Sequence, residues 1–281
     1  MLTYFTCPDK VDIQIEDCLP LCRLGSRCLT KPTLNILAQR RPWNGVPSTT
    51  QLLNGTIMEY LKITKPYAIT PTEQAFLLLG INHHSQLDKS AKELGIPSEI
   101  ALDGGRNIID LLVNEGDGWQ LIDNKCWGSY RVAKSLGIVK EGKGKDAHFN
   151  IDHNSIDLFE PEMQLNNYRL ILEARANFKI EHMGLQVIVR DGDTFMAESR
   201  GIFKKFYNIP IRPVDEDFVK IYFLSKESQL LFALKETIVP PLCSEYECWE
   251  GARCRKYCEV AQWCPRGQQE LLNKERRDAS T

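Results

Sequence analysis

Two apolar runs around a five-residue turn constrain this chain more than any other stretch. Residues 105–125 read GRNIIDLLV, then NEGDG, then WQLIDNK. A Gly- and Asp-rich turn between such runs predicts a β-hairpin. Asp110 lies in the first run, and the second ends Asp123-Asn124-Lys125. Side chains alternate along a strand, so Asp123 and Lys125 share one face. Pairing of the two runs brings Asp110 alongside them. Two carboxylates and an ammonium then converge at one end of a sheet, a set suited to a hard divalent cation with a water beside it. An ordinary hairpin with solvated charges is the competing reading.

The flanking pattern is helical on both sides. Ser48 or Thr49 caps a helix carrying Leu52, Leu53, Ile57, Met58 and Leu61. Thr70-Pro71-Thr72-Glu73 predicts a capping box opening a helix that runs to about Leu94 and stops at Gly95. That helix carries Gly80, His83 and His84. The next segment, GIPSE, reads as a linker. After the hairpin, 127–137 reads as helix and 140–145, KEGKGK, as a basic surface loop. A helix over 161–176 places Gln164 and Tyr168 on one face. LQVIVR and TFMAES, around Asp191-Gly192-Asp193, predict a second hairpin. Pro210 and Pro213 mark an irregular stretch, 216–237 a long helix ended by Pro240-Pro241, and the charged C-terminal tail disorder. Helices alternating with strand pairs predict an α/β fold with a mixed central sheet.

Composition narrows the setting. Net charge is −2, so a nucleic-acid site must be a local patch. No apolar run approaches the roughly 20 residues of a membrane helix, and the start, MLTYFTCPDK, has no signal-peptide pattern. The expectation is a cytoplasmic protein with no membrane partner. Ten cysteines are many for 281 residues, and in a reducing compartment clustered thiols point to metal. Cys18, Cys22 and Cys28 have three and then five residues between them, and Cys254, Cys258 and Cys264 repeat that spacing. Cys126 alternates away from Asp123 and Lys125 and reads as a buried, inert thiol.

Taken in order, Gly80-x3-His84, Asp110, Asp123-x-Lys125 and Gln164-x3-Tyr168 resemble the RecB-type branch of the PD-(D/E)xK nucleases, which includes RecB and AddB nuclease domains and CRISPR-adaptation nucleases. The resemblance covers about residues 75–190. It implies a restriction-endonuclease-like mixed sheet flanked by helices, with a Cys-rich N-terminal segment (1–65), a nuclease core (66–215) and a C-terminal helix and metal clasp (216–281). His84, Asp110 and Asp123, with a backbone carbonyl near Asn124, would ligate Mg²⁺ or Mn²⁺. Lys125 would position or deprotonate the attacking water. Gln164 and Tyr168 would hold the DNA strand or brace the site. His83 competes with His84, which the Gly80 spacing of the resemblance selects. Asp103 is the weaker competitor for Asp110.

Part of that branch joins three C-terminal cysteines and one N-terminal cysteine around a [4Fe–4S] cluster. Cys254, Cys258 and Cys264, before Pro265, look like the C-terminal set, with Cys28 chosen as the fourth ligand. The first gap is three residues where the usual pattern has two. Cys18, Cys22, Cys243 and Cys248 remain for a second thiolate site, with zinc as its candidate metal; thiolates suit zinc and iron–sulfur alike. The implied activity is DNA exonuclease action on ends, with a recombination or single-strand-annealing partner. No nucleotide-binding motor motif accompanies it. A non-catalytic, metal-clasped nucleic-acid-binding protein and a Cys-rich zinc interaction module are the rival readings.

Overall fold

The computed structural model describes residues 1–114, 116, 118–142, 148–175 and 179–278. The basic loop expected at 140–145 lies partly outside them. The chain divides into two compact units, named by their order along the sequence alone: an inner, continuous one of Leu79–Lys220 and an outer, discontinuous one of Met1–Leu78 with Ile221–Thr281. Both breaks fall inside helices, where boundaries near 65/66 and 215/216 were expected.

The outer, discontinuous unit begins with β1 (Leu2–Thr6), β2 (Asp12–Gln14), α1 (Ile15–Cys18), α2 (Lys31–Ala38), α3 (Thr49–Leu53), α4 (Thr56–Thr64) and β3 (Tyr67–Ile69). β1 is central in a small sheet, antiparallel to β2 and parallel to β3. The expected helix over 49–61 is two. Ser48 and Gln51 form a capping box on α3, and the chain turns at Asn54-Gly55 before α4. That turn is fixed by the buried Glu59, whose carboxylate accepts from Gln51 Nε2 at 3.1 Å and Asn54 Nδ2 at 2.8 Å.

The inner unit follows with α5 (Ala75–Glu93), β4 (Ser98–Leu102), β5 (Asn107–Asn114), β6 (Trp119–Trp127), α6 (Ser129–Ser135), β7 (Ile138–Glu141), β8 (His148–Ile151), α7 (Phe159–Arg175), β9 (Ile180–Val189), α8 (Phe195–Glu198) and β10 (Phe206–Ile211). Its five-stranded sheet has the order β10-β9-β6-β5-β4. β6 and β9 are parallel, and the other neighbours are antiparallel. The fold is therefore a mixed α/β sheet flanked by helices. The expected hairpin is β5–β6, in register through Leu111–Ile122 and Leu112–Leu121. Its buried residues Ile109, Leu112 and Leu121 join Leu165, Leu185 and Val187 in the core. Such burial stabilises by roughly 1.5–3 kcal/mol per large aliphatic side chain.

Three local expectations change. Pro71–Glu73 is a 3₁₀ turn, Thr70 makes no side-chain cap, and the α-helix starts at Ala75. The turn uses Thr70 and Pro71 carbonyls for i→i+3 bonds from Glu73 and Gln74, so the capping box never forms. The stop at Gly95 is as expected. Gly95 has φ +70°, Ile96 N–H donates to Ala91 O and Gly95 N–H to Lys92 O, a Schellman end. TFMAES is not a strand, because Thr194 accepts from Ala197 N–H and caps the short helix α8. The strand that pairs with β9 is β10, which contains Pro210. β10 is an edge strand, where a missing N–H is tolerated.

The chain then runs through α9 (Glu216–Glu236), α10 (Ala252–Lys256) and α11 (Pro265–Asp278), the last two in the outer unit. The tail expected to be disordered is helical to Asp278, tied by an Arg255–Glu270 ion pair. No helix among the described residues is long and apolar enough to cross a membrane.

Candidate functional site

The inner sheet sets three acids side by side. Glu99 falls between the Ser98–Leu111 and Ile100–Ile109 pairs of β4–β5, opposite Asp110. Asp110 and Asp123 each lie one step beyond the Leu111–Ile122 pair of β5–β6. His84, on α5, reaches the same place. Its Nδ1 is 3.5 Å from Asp110 Oδ2 and 3.7 Å from Glu99 Oε1. Among the described residues, His84, Glu99 and Asp110 are the group of His, Cys, Asp or Glu whose ligand atoms all lie within 4.8 Å of one another.

Asp123 sits deeper, at 3% exposure on the central strand. Lys125 Nζ is 2.7 Å from Asp123 Oδ2, and Gln164 Nε2 donates to Asp123 Oδ1 at 3.0 Å. Lys125 Nζ also donates to Gln164 Oε1 at 3.4 Å. Asp123 Oδ2 is buried and has the ion pair but no well-aligned hydrogen bond, leaving lone-pair capacity for a cation. Asn124 N–H donates to Asp110 Oδ2 at 2.7 Å and aims that carboxylate.

Charge at the site is frustrated. Burial, and then the neighbouring Asp123 carboxylate, push Asp110 up from 3.8 to about 6, against the pull of His84 and Lys125. Burial works against the Lys125 ammonium too. Asp123, Asp110 and Glu160 outweigh it and hold Lys125 above its ordinary value. Lys125 is thus a cation at neutral pH. A divalent ion among His84, Glu99, Asp110 and Asp123 would relieve the acid–acid repulsion, and these O and N donors are the ligands that hard cations take.

Helix α7 positions Gln164. Asn166, fully buried, donates to Arg212 O at 3.0 Å and accepts from Val214 N–H at 2.9 Å, pinning α7 beside the end of β10. Arg169 bridges Glu173 at 3.2 Å and Glu216 at 3.5 Å, and Glu173 accepts from Ile180 N–H at 2.9 Å at the start of β9. Gln164 is therefore delivered to Asp123 by a helix fixed at three places.

The structure thus brings together His84, Asp110, Asp123, Lys125 and Gln164. It departs from the sequence reading in several particulars. Gln164 and Tyr168 are buried: Gln164 touches Asp123 and Lys125, and Tyr168 is part of the core cluster. Gln164 is a positioning residue for Asp123 and Lys125. A Cβ on Gly80 would meet no atom within 4 Å. His83 is outside the ligand group. Asp103 is engaged by Arg175 and by Asn107 Nδ2. Glu99 was missed, since GIPSE reads as a linker. Its signal lies in register with β5 and in its backbone, with φ +46°. A left-handed Glu inside a strand is strained by about 1–3 kcal/mol, a cost typical of functional sites.

Gln164→Ala is expected to free the Lys125 ammonium and the Asp123 carboxylate to move. Mn²⁺ affinity measured by calorimetry should fall about 10-fold or more, as for second ligand shells generally. An unchanged Mn²⁺ isotherm would return Gln164 to an ordinary helix position.

The C-terminal thiols form a separate centre in the outer unit. Cys243, Cys254, Cys258 and Cys264 line one cavity, walled by Ile57, Met58, Leu61 and Val260. Cys28 is not among them. The fourth thiol is Cys243, packed on Gly55, where an added Cβ would come within 2.2 Å of its sulfur. Burial and then Glu247 push the Cys243 thiol up to about 12, and burial and then Cys258 push Cys254 to about 11. Thiolates there need a compensating cation, as a metal or iron–sulfur core supplies. Cys18 has Cys7, Cys22 and Cys28 around it, and Cys254 has Cys248, Cys258 and Cys264. Cys248 is buried with its thiol 3.5 Å from Glu245 O. Cys126 is half-buried, its thiol raised by burial.

No family model matches the chain and no curated protein matches it. Among solved structures, the crystal structure of SSO0001 is similar, at 17% identity and a TM-score of 0.44, covering 84% of this chain and 92% of that one.

Proposed function

We propose that this chain is a divalent-metal-dependent DNA nuclease, an exonuclease hydrolysing phosphodiester bonds in recombination, repair or phage DNA processing in a cytoplasmic setting. One observation carries the reading: Asp110 and Asp123 stand side by side with Lys125 ion-paired to Asp123 and His84 and Glu99 alongside. Binding alone needs no buried acid pair beside a phosphate. Mg²⁺ or Mn²⁺, held by His84, Glu99, Asp110 and Asp123, would supply Lewis acidity at the scissile phosphate.

The protein's own groups do the rest. Lys125, held protonated, offsets negative charge developing on the phosphate and orients the attacking water by donating to it. Its raised affinity for the proton makes it a positioning cation and not the general base. Gln164 keeps Asp123 and Lys125 in register, and Asn124 N–H keeps Asp110 turned inward. In the outer unit, Cys243, Cys254, Cys258 and Cys264 would hold a structural [4Fe–4S] cluster, chemically separate from the hard-cation site.

The test is incubation of the full chain with end-labelled single- and double-stranded DNA in Mg²⁺, Mn²⁺ or EDTA. Metal-dependent shortening from the ends is expected, abolished by EDTA. DNA bound but uncut in every metal would favour a non-catalytic nucleic-acid-binding protein, and no binding at all would favour a thiolate interaction module.

A further inference from the structure

Four of the six cysteines outside the C-terminal set form a quartet of their own. Ten, three and five residues separate Cys243, Cys254, Cys258 and Cys264, and the same ten, three and five separate Cys7, Cys18, Cys22 and Cys28. The fold gathers this N-terminal quartet into one loop cluster. Cys7 opens a turn after β1, with Lys10 N–H donating to Cys7 O at 2.8 Å and Cys7 N–H to Val11 O at 2.9 Å. Cys18 ends α1. Cys22 begins a turn closed by Gly25 N–H at 3.1 Å, and its thiol lies 3.2 Å from Ser26 O. The Arg27 guanidinium donates to the carbonyls of Cys18, Leu19 and Pro20 at 2.8, 2.9 and 3.0 Å, which draws the chain at Cys28 back onto Cys18. Cys7, Cys22 and Cys28 all lie close enough to Cys18 for their thiols to act on it electrostatically.

This segment has no core to order it. Phe5 and Leu34 are buried, and no side chain from 6 to 33 is. A stretch of that length without buried apolar residues needs a staple, and all ten cysteines are unpaired by disulfides. Two cations stand by. Arg23 pairs with Asp9 beside Cys7, and Arg27 lies beside Cys18, placed to offset an anionic tetrathiolate.

We propose that Cys7, Cys18, Cys22 and Cys28 hold a thiophilic metal centre of their own, so that the chain carries two four-thiolate centres. The shared ligand chemistry is thiolate on a soft or borderline metal, either a zinc ion or an iron–sulfur cluster. It does not depend on the nuclease reading, and its test reads metal, not cleavage.

Full-length protein, purified anaerobically, is assayed for zinc, iron and acid-labile sulfide, as wild type, Cys22→Ser and Cys258→Ser. Each variant is expected to lose one centre's metal and keep the other's. Loss of zinc alone in Cys22→Ser identifies a zinc ion there, and loss of iron with sulfide identifies a cluster. Either supports the centre. Wild-type protein covers the case of a misfolded variant: brief alkylation read by mass spectrometry should leave Cys7, Cys18, Cys22 and Cys28 protected together, then expose all four on chelation. Equal metal in Cys22→Ser and wild type, or these four thiols alkylating one by one before chelation, would overturn the proposal.

Discussion

Asp123→Asn is expected to lower Mg²⁺-dependent DNA cleavage by a factor on the order of 10³ and to erase the Mn²⁺ site in calorimetry. The substitution keeps volume and keeps an oxygen for Gln164 Nε2, so the fold should survive. It removes the charge that Lys125 meets at 2.7 Å and that a divalent ion would meet in the same place. Lys125→Ala should lose cleavage by a comparable factor but keep the metal, since it removes a donor and no ligand. Without the ammonium, Asp110 and Asp123 repel each other unscreened, and breaking such a buried pair costs about 3–5 kcal/mol. Mn²⁺ should therefore raise the Tm of Lys125→Ala more than that of wild type. The contrast between the two variants is the test. Wild-type cleavage by both folded variants would show that the hairpin is not the reacting centre.

Asp110→Asn is expected to stabilise the metal-free protein while ending metal binding. In the folded chain Asp110 titrates at about 6 against 3.8 for the free side chain. Its charged form is thus disfavoured by folding, mainly through burial. That penalty is fully present above the folded value, shrinks as pH falls from about 6, and is gone below the unfolded value. Two pH units correspond to roughly 3 kcal/mol at most, since one unit is about 1.4 kcal/mol. In EDTA at pH 8, Asp110→Asn should melt on the order of 6 °C above wild type, and the gain should vanish by pH 4. An equal gain at both pH values would assign the effect to packing and not to charge. With saturating Mn²⁺ at pH 8 the order should reverse, because only the wild type gains from the ion.

The inner hairpin was legible because its alternation and its turn agree, and tertiary pairing had nothing to override. Asp110, Asp123 and Lys125 followed from that one element. Glu99 did not, because its place depends on where β4 pairs along β5, and Gly-Ile-Pro-Ser before it carries every sign of a linker. TFMAES reads as a strand by composition, yet Thr194 offers a side-chain cap that turns it helical. Thr70 fails as a cap for the opposite reason, since Pro71 and the following residues settle into i→i+3 bonds first. The thiols were the hardest to read. The repeated three-and-five spacing was visible, and it suggested joining one end of the chain to the other. Cys7 and Cys243, each separated by ten residues from its triplet, belong to the same repeat, and a reading that joins the two ends passes over them.

The interrupted connectivity of the outer unit has a consequence for how the molecule is made. All residues of Leu79–Lys220 are contiguous, so its sheet can be completed while synthesis is still under way. The outer unit cannot, because Asn54 waits for Arg253, Lys62 for Glu259, and Pro66 O for the Trp263 indole. Contacts so distant along the chain are closed late and slowly. Until α10 and α11 emerge, the α4 face that will wall the thiol cavity is bare, and Ile57, Met58 and Leu61 are open to water. The period of greatest exposure to aggregation therefore falls after Leu79–Lys220 has been made and before α10 and α11 have emerged, and it falls on the discontinuous unit.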